Sequence, residues 1–255
     1  MAFPQERINT PISTAELERR WAAVRAAMAD QGIDVLLMQA NNDFMGGNVK
    51  YFTDLAATNG YPVTVIFPVD EPMTLIHQGG FDQEIDVPAE GDGLHRGVGK
   101  VMMTPSFAAA GYTVKYDAEL AAKALAPYTA RTIGLVGLGQ IPIGFLDHLR
   151  DGAFANTKFV DATDLVDQIK VIKSAEELEV IRKTARMQDG CWQAVLDGIR
   201  PGMTDLEATG LAEYYGLQNG SEQGWYMAGS GKVGEVTRFR SRHYLNRRIE
   251  KGDTF

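Results

Sequence analysis

From residue 13 to residue 165, segments with helical periodicity alternate with short apolar runs, and this alternation restricts the chain to a layered α/β fold. The first helix is expected over residues 13 to 31. Ser13 or Thr14 can cap it, Glu16 follows in the first turn and Gly32 can end it. Leu17, Trp21, Val24, Ala27 and Met28 fall on one face, and Glu and Arg on the other. Ile33 to Met38 is too short for a helix and reads as a buried strand. Tyr51-Phe52-Thr53 reads as a short edge segment. Tyr61 to Phe67 and Met73 to His77 flank the turn residues Asp70-Glu71-Pro72, so they predict a hairpin. Residues 80 to 112 are rich in Gly, Asp and Pro and predict loops and short pieces. Beyond them, Ala118–Ala126 and Ile143–Leu149 predict helices, Thr132–Val136 and Lys158–Ala162 predict strands, and Thr163–Val166 opens a further helix. The hairpin signals favour a mixed sheet over an all-parallel one.

After Lys173 the pattern changes. Residues 174 to 198 predict one long amphipathic helix with a Ser174/Glu177 capping box. Leu178, Ile181, Ala185, Gln188 and Trp192 lie on or near one stripe of it. Arg200-Pro201-Gly202-Met203 breaks the helix, and Thr204 with Glu207 opens a second one running to about Asn219-Gly220. Two antiparallel helices behind an α/β region suggest that a second domain begins near Lys173.

Composition narrows the function. The 255 residues carry a formal net charge of −8, which makes nucleic acid a poor partner. A basic run, Arg238, Arg240, Arg242, Arg247 and Arg248, can be a solvated surface, a counterweight to nearby carboxylates or a binder of a substrate carboxylate. The single cysteine, Cys191, sits mid-helix without a paired base and reads as a buried structural thiol, and the absence of any disulfide pair fits a cytoplasmic location. No apolar run approaches the roughly 18 residues of a membrane span, and the N-terminus lacks the layout of a signal peptide. His77, His95 and His148 are scattered, without zinc-site spacing. Gly229-Ser230-Gly231-Lys232 fails the phosphate-loop pattern, because Val233 follows the lysine, and reads as a turn.

Two motifs carry a family resemblance. Ile172-Lys173-Ser174-Ala175-Glu176-Glu177-Leu178 closely resembles the junction leading into the catalytic domain of the creatinase/aminopeptidase P/prolidase (pita-bread, peptidase M24) superfamily. Ile199-Arg200-Pro201-Gly202-Met203-Thr204-Asp205-Leu206-Glu207 resembles the turn after that domain's first helix, in the right order and at the right separation. Arg20 to Met38, Lys50 to Leu55 and Arg131 to Val136 are similar to earlier family elements. Arg248-Ile249-Glu250-Lys251-Gly252-Asp253 resembles the Gly-Asp strand start that precedes the first metal-binding aspartate.

The resemblance implies a creatinase N-terminal-type mixed-sheet α/β domain over residues 1–170, followed over 171–255 by the truncated start of an α+β pita-bread catalytic domain. It implies a parent hydrolase of the Xaa-Pro aminopeptidase or dipeptidase kind, homodimeric, acting on a peptide or small molecule. No nucleic acid and no membrane is expected as partner. A divalent metal (Mn, Co, Zn or Fe) is expected in the full-length parent. The metal ligands of relatives lie past Phe255, so this chain is expected to bind no metal or cofactor and to be inactive by itself. Asp253 is the turn residue of the motif, as its own turn chemistry also suggests, and not a ligand. His243 is the candidate catalytic residue, since relatives place a histidine before this turn and an imidazole can exchange a proton near neutral pH. The alternative is a solvated loop histidine among arginines. Two other functions stand beside the peptidase: a creatinase-like or lyase reaction on a small non-peptide substrate without the usual metal pair, and a non-catalytic dimerisation or binding module.

Overall fold

The computed structural model of the protein describes residues 12 to 44, 46 to 237 and 246 to 255. It divides into two units, residues 12 to 173 and residues 174 to 255.

In the first unit, helix α1 (Thr14–Gln31) starts where its cap chemistry says it should. The Ser13 hydroxyl accepts from the Glu16 amide at 3.1 Å. Gly32 ends the helix in the left-handed conformation, φ 64°, a position that costs any side chain strain. Leu17, Trp21, Val24 and Met28 are buried as expected. The polar face differs from the expectation, because Glu16 and Arg20 are buried as well. Arg20 donates to Glu16 Oε1 at 2.9 Å and to the Tyr51 carbonyl at 3.1 Å, and Trp21 Nε1 donates to the Phe52 carbonyl at 2.9 Å.

Those two carbonyls belong to helix α2 (Asn48–Thr53). Here the structure corrects the expectation of an edge segment at Tyr51–Thr53. The last carbonyls of a short helix lack intrahelical partners. Side chains of α1 supply them, while Val49, Tyr51 and Phe52 enter the core. Tertiary donors thus decide a segment whose residues favour strands.

The sheet has the order β4-β5-β3-β2-β1-β6-β7, with strands β1 (Val35–Ala40), β2 (Val63–Pro68), β3 (Met73–Gln78), β4 (Gln83–Asp86), β5 (Val98–Thr104), β6 (Thr132–Val136) and β7 (Lys158–Asp161). It is mixed. β1 pairs antiparallel with β2, Val35 opposite Pro68, and parallel with β6, Val35 opposite Ile133. β3 and β5 are parallel, as are β6 and β7, and β4 is antiparallel to β5. Every residue of β1 is buried, which is why its sequence shows no polar alternation. Leu36 and Met38 face one core together with α1, α2 and α5 (Thr163–Val171). Val35 and Leu37 face the other, with α3 (Val114–Leu125) and α4 (Ile143–Asp151).

Residues 80 to 112 are a second correction. They contain β4 and all of β5, and Val98, Val101 and Met102 of β5 are buried. Gly99 and Lys100 interrupt the apolar pattern there, and the strand exists because β3 offers it a parallel partner, Leu75 opposite Val101.

The second unit holds α6 (Ala175–Gly198) and α7 (Asp205–Gln218). Both capping boxes form. The Glu177 amide donates to Ser174 Oγ at 3.1 Å and the Ser174 amide to Glu177 Oε2 at 2.8 Å, and the Thr204/Glu207 pair repeats this at 3.2 and 2.7 Å. Cys191 and Val195 of α6 pack against Ala212 of α7. The stripe through Leu178, Ile181 and Trp192 lies exposed beside this contact. Among the described residues no helix is long and apolar enough to cross a membrane.

Candidate functional site

The second unit gathers its chemistry where the α6–α7 turn meets residues 247 to 255. Gly202 N donates to the Ile249 carbonyl at 2.7 Å, Ile249 N to the Met203 carbonyl at 2.8 Å and Asp205 N to the Arg247 carbonyl at 3.0 Å. This lacing carries Arg247 to Asp253. Gly252, at φ 94°, makes the turn between them. One carboxylate oxygen, Asp253 Oδ2, accepts from Arg247 Nη1 at 2.6 Å and from the Glu250 amide at 2.7 Å. Arg247 Nη1 also donates to Ser230 Oγ at 2.8 Å. The Arg247 hydrogen bond, helped by the one from Glu250, holds the Asp253 carboxyl below its usual range.

This geometry is that of a clamp. Asp253 is a turn-capping aspartate with its side chain 3 % exposed, committed to a guanidinium. Two-residue strands β8 (Gly231–Lys232) and β9 (Asp253–Thr254) pair antiparallel beside it. Gly231 and Lys232, expected as part of a turn, are therefore strand residues, because β9 offers them backbone partners.

Beside the clamp lies a groove of about 380 Å³ whose lining includes Met187, Gln188, Trp192, Trp225, Tyr226 and Phe255. Its floor is tightly made. Cys191 Sγ lies 3.7 Å from Tyr226 Oη, and any side chain at Gly216 would collide with that hydroxyl. Cys191 is 5 % exposed, as its place mid-helix predicted. Burial raises the Tyr226 hydroxyl above its ordinary pKa, reinforced by its contact with Cys191. Sequence reasoning passed over this groove. Its signal was two tryptophans, Trp192 and Trp225, in a unit with little core to absorb them.

His243, the candidate catalytic residue, lies outside the described residues, as do Arg238, Arg240 and Arg242. Of the basic run, Arg247 pairs with Asp253 and Arg248 donates to the Gly202 carbonyl at 2.7 Å. Of the scattered histidines, the first unit stacks His77 and His95 at 6.3 Å between ring centres. The metal that the family implies has no fit in the described residues, where no group of three or more His, Cys, Asp or Glu side chains could hold an ion. The Asp253 carboxylate is already occupied by Arg247 and the Glu250 amide.

No family model matches the chain. Among curated proteins, the creatinase of a Bacillus species is 24 % identical over 214 residues, 79 % of this chain and 45 % of that protein. An Xaa-Pro dipeptidase of Pyrococcus horikoshii is 30 % identical over 94 residues, 35 % of this chain and 26 % of that protein. Among solved structures, the X-Pro aminopeptidase of Thermotoga maritima superposes with a TM-score of 0.64 at 18 % identity, covering 93 % of this chain and 58 % of that one. The chain is thus similar in sequence to a creatinase and an Xaa-Pro dipeptidase and in fold to an X-Pro aminopeptidase, all proteins of the creatinase/aminopeptidase P/prolidase kind. It spans between about a quarter and three fifths of the length of these similar proteins. The matched fold takes in residues of both units of this chain.

Proposed function

We propose that this chain is the N-terminal domain and the opening of the catalytic domain of an Xaa-Pro dipeptidase- or aminopeptidase-like hydrolase. The observation that carries the reading is the match to an X-Pro aminopeptidase over 93 % of this chain but 58 % of that one. Residues 12 to 173 supply the mixed-sheet domain, and the two capped helices with the Arg247–Asp253 clamp begin the domain that would hold the chemistry. In this reading the clamp is structural. It fixes the entry of a strand whose continuation would bring aspartate, histidine and glutamate ligands to a divalent metal pair. His243, which precedes the Gly252-Asp253 turn in the sequence, is not needed for that metal and is proposed to line the substrate site. The parent is proposed to be cytoplasmic and homodimeric.

The 255-residue chain should then show no cleavage of an Xaa-Pro dipeptide with added Mn²⁺ or Co²⁺. Clear turnover by the pure chain sinks the proposal that the metal centre lies elsewhere. Reading the coding sequence past codon 255 separates the alternatives. An in-frame aspartate pair followed by histidine and two glutamates supports a metallopeptidase. A continuation without them moves a creatinase-like reaction centred on His243 ahead, and a stop codon favours a binding module.

A further inference from the structure

His77 stands on β3, and residues 92 to 97 form the turn that leads into β5, the parallel neighbour of β3. This turn is tied down at three places. Asp92 Oδ1 accepts from the Leu94 amide at 2.9 Å and from the His95 amide at 2.7 Å. Arg96 donates to Asp54 Oδ2 at 2.7 Å and to the Ile12 carbonyl. The Gly97 carbonyl accepts from the Met73 amide of β3 at 2.9 Å, and a side chain at Gly97 would collide with the Trp21 ring. The His95 ring of the turn is stacked with His77, with ring centres 6.3 Å apart and planes 12° apart.

The two rings differ in what a proton would meet. His95 Nδ1 is 2.6 Å from Asp92 Oδ2, so a carboxylate faces it. His77 Nδ1 is 2.9 Å from the Gln78 carbonyl, an acceptor without charge. That nitrogen carries the hydrogen of the neutral ring, so a further proton goes to Nε2. Opposite His77 on β5 is the uncharged Met103, and β2 pairs with β3 only as far as Ile76. The titratable group that acts on His77 is His95, with Asp92 behind it, while Arg96 is turned to Asp54. Two imidazolium charges 6.3 Å apart lie within the Debye length of about 8 Å at physiological salt, so each opposes the other. Burial, with His95 beside it, holds the His77 ring below its ordinary value, and the Gln78 carbonyl offsets only part of that. Burial by itself would raise the Asp92 carboxyl, but hydrogen bonds from the His95 amide and ring and from the Leu94 amide bring it down to about 2. Asp92 therefore stays an anion where His77 titrates.

We propose that residues 92 to 97 are an acid-released latch of the first unit, kept closed on β3 by the neutral His77 ring. A proton taken from solvent at His77 Nε2 places a charge against the stacked His95 ring. The turn is then freed, and with it the hold of Arg96 on Asp54 and Ile12. The sign follows from the geometry of the closed form. A released His77 titrates at its ordinary value of about 6.5, above that of the closed form. The closing contribution is therefore complete above about pH 6.5 and is lost as pH falls below it. This latch stands on the first unit and is independent of the proposed hydrolytic function.

The test is amide hydrogen exchange of the 255-residue chain at about pH 7.5 and about pH 5, with rates corrected for their intrinsic pH dependence. The amides of His95, Arg96 and Val98 should lose protection by up to about tenfold at the lower pH, and those of β1 and β6 should keep theirs. His77→Gln, which takes up no proton, should abolish the loss, and His148→Gln should leave it as in the wild type. Equal protection of the turn at both pH values, or a loss that persists in His77→Gln, overturns the proposal. If His77→Gln does not fold, titration of the His77 ring by nuclear magnetic resonance in the wild type decides instead. A midpoint below about 6.5, with the turn losing protection over the same range, supports the latch, and a midpoint at or above about 6.5 overturns it.

Discussion

Asp117 shows what a single buried charge does in this fold. It is 2 % exposed, in the first turn of α3, and accepts from Ser106 Oγ at 2.9 Å. Burial pushes its carboxyl up to about 6 from 3.8, and the Ser106 hydrogen bond offsets only part of that. A folded pKa above the unfolded one means the proton stabilises the fold. The contribution is complete below the unfolded value and is lost as pH rises through about 6. A difference of this size corresponds to about 3 kcal/mol, an order-of-magnitude figure. Asp117→Asn keeps an acceptor for Ser106 and removes the charge. It should stabilise the first unit at about pH 7 by about 1–3 kcal/mol and leave it nearly unchanged at about pH 4. Urea unfolding at both pH values measures this, followed by the fluorescence of Trp21, the one buried tryptophan. A variant less stable at neutral pH would show that the carboxylate is held by more than Ser106.

At the scale of elements, the legible parts were those whose causes are local. The caps of α1, α6 and α7 follow from residues within one turn or at the helix end, Ser13 with Gly32, Ser174 with Glu177 and Thr204 with Glu207, and each has the predicted partner. Asp253 was legible as a turn residue because Gly252 stands beside it. Helix α2 and strand β5 were not legible, since Arg20, Trp21 and the free edge of β3 decide them from far along the chain. The same non-local arrangement hid the meeting of His77 with His95. The caps yield a prediction of their own. Ser174→Ala removes the hydroxyl that satisfies the Glu177 amide and should cost about 1 kcal/mol. Thr204→Ala should cost a similar amount. Both should appear as lower denaturation midpoints of the second unit, read from the emission of Trp192 and Trp225, with Trp21 replaced by Phe to silence the first unit. A midpoint unchanged by either substitution would show that the box geometry contributes no stability there.

At the scale of the whole molecule, the two units differ in how much they bury. The first encloses its sheet between two helical layers, and β1 is covered on both faces. The second buries only Cys191, Val195 and Ala212 as a cluster among the described residues, and Leu178, Ile181, Trp192, Leu196 and Trp225 are exposed. Apolar area removed from water contributes about 25 cal/mol per Å², so a helix pair that covers few side chains gains little against the entropy of ordering them. Local opening should therefore be easiest in this unit. Native-state hydrogen exchange should find the amides of β1 and β6 the most protected and those of α6 and α7 exchanging orders of magnitude faster, despite their capping boxes. Adding the remainder of a catalytic domain, if one follows in the parent, should slow α6 and α7 and leave β1 and β6 as they were. Equal protection of both units in a chain shown by sedimentation to be monomeric would mean that the exposed face of α6 is not a source of instability, and that the second unit is complete as a folding unit without further partners.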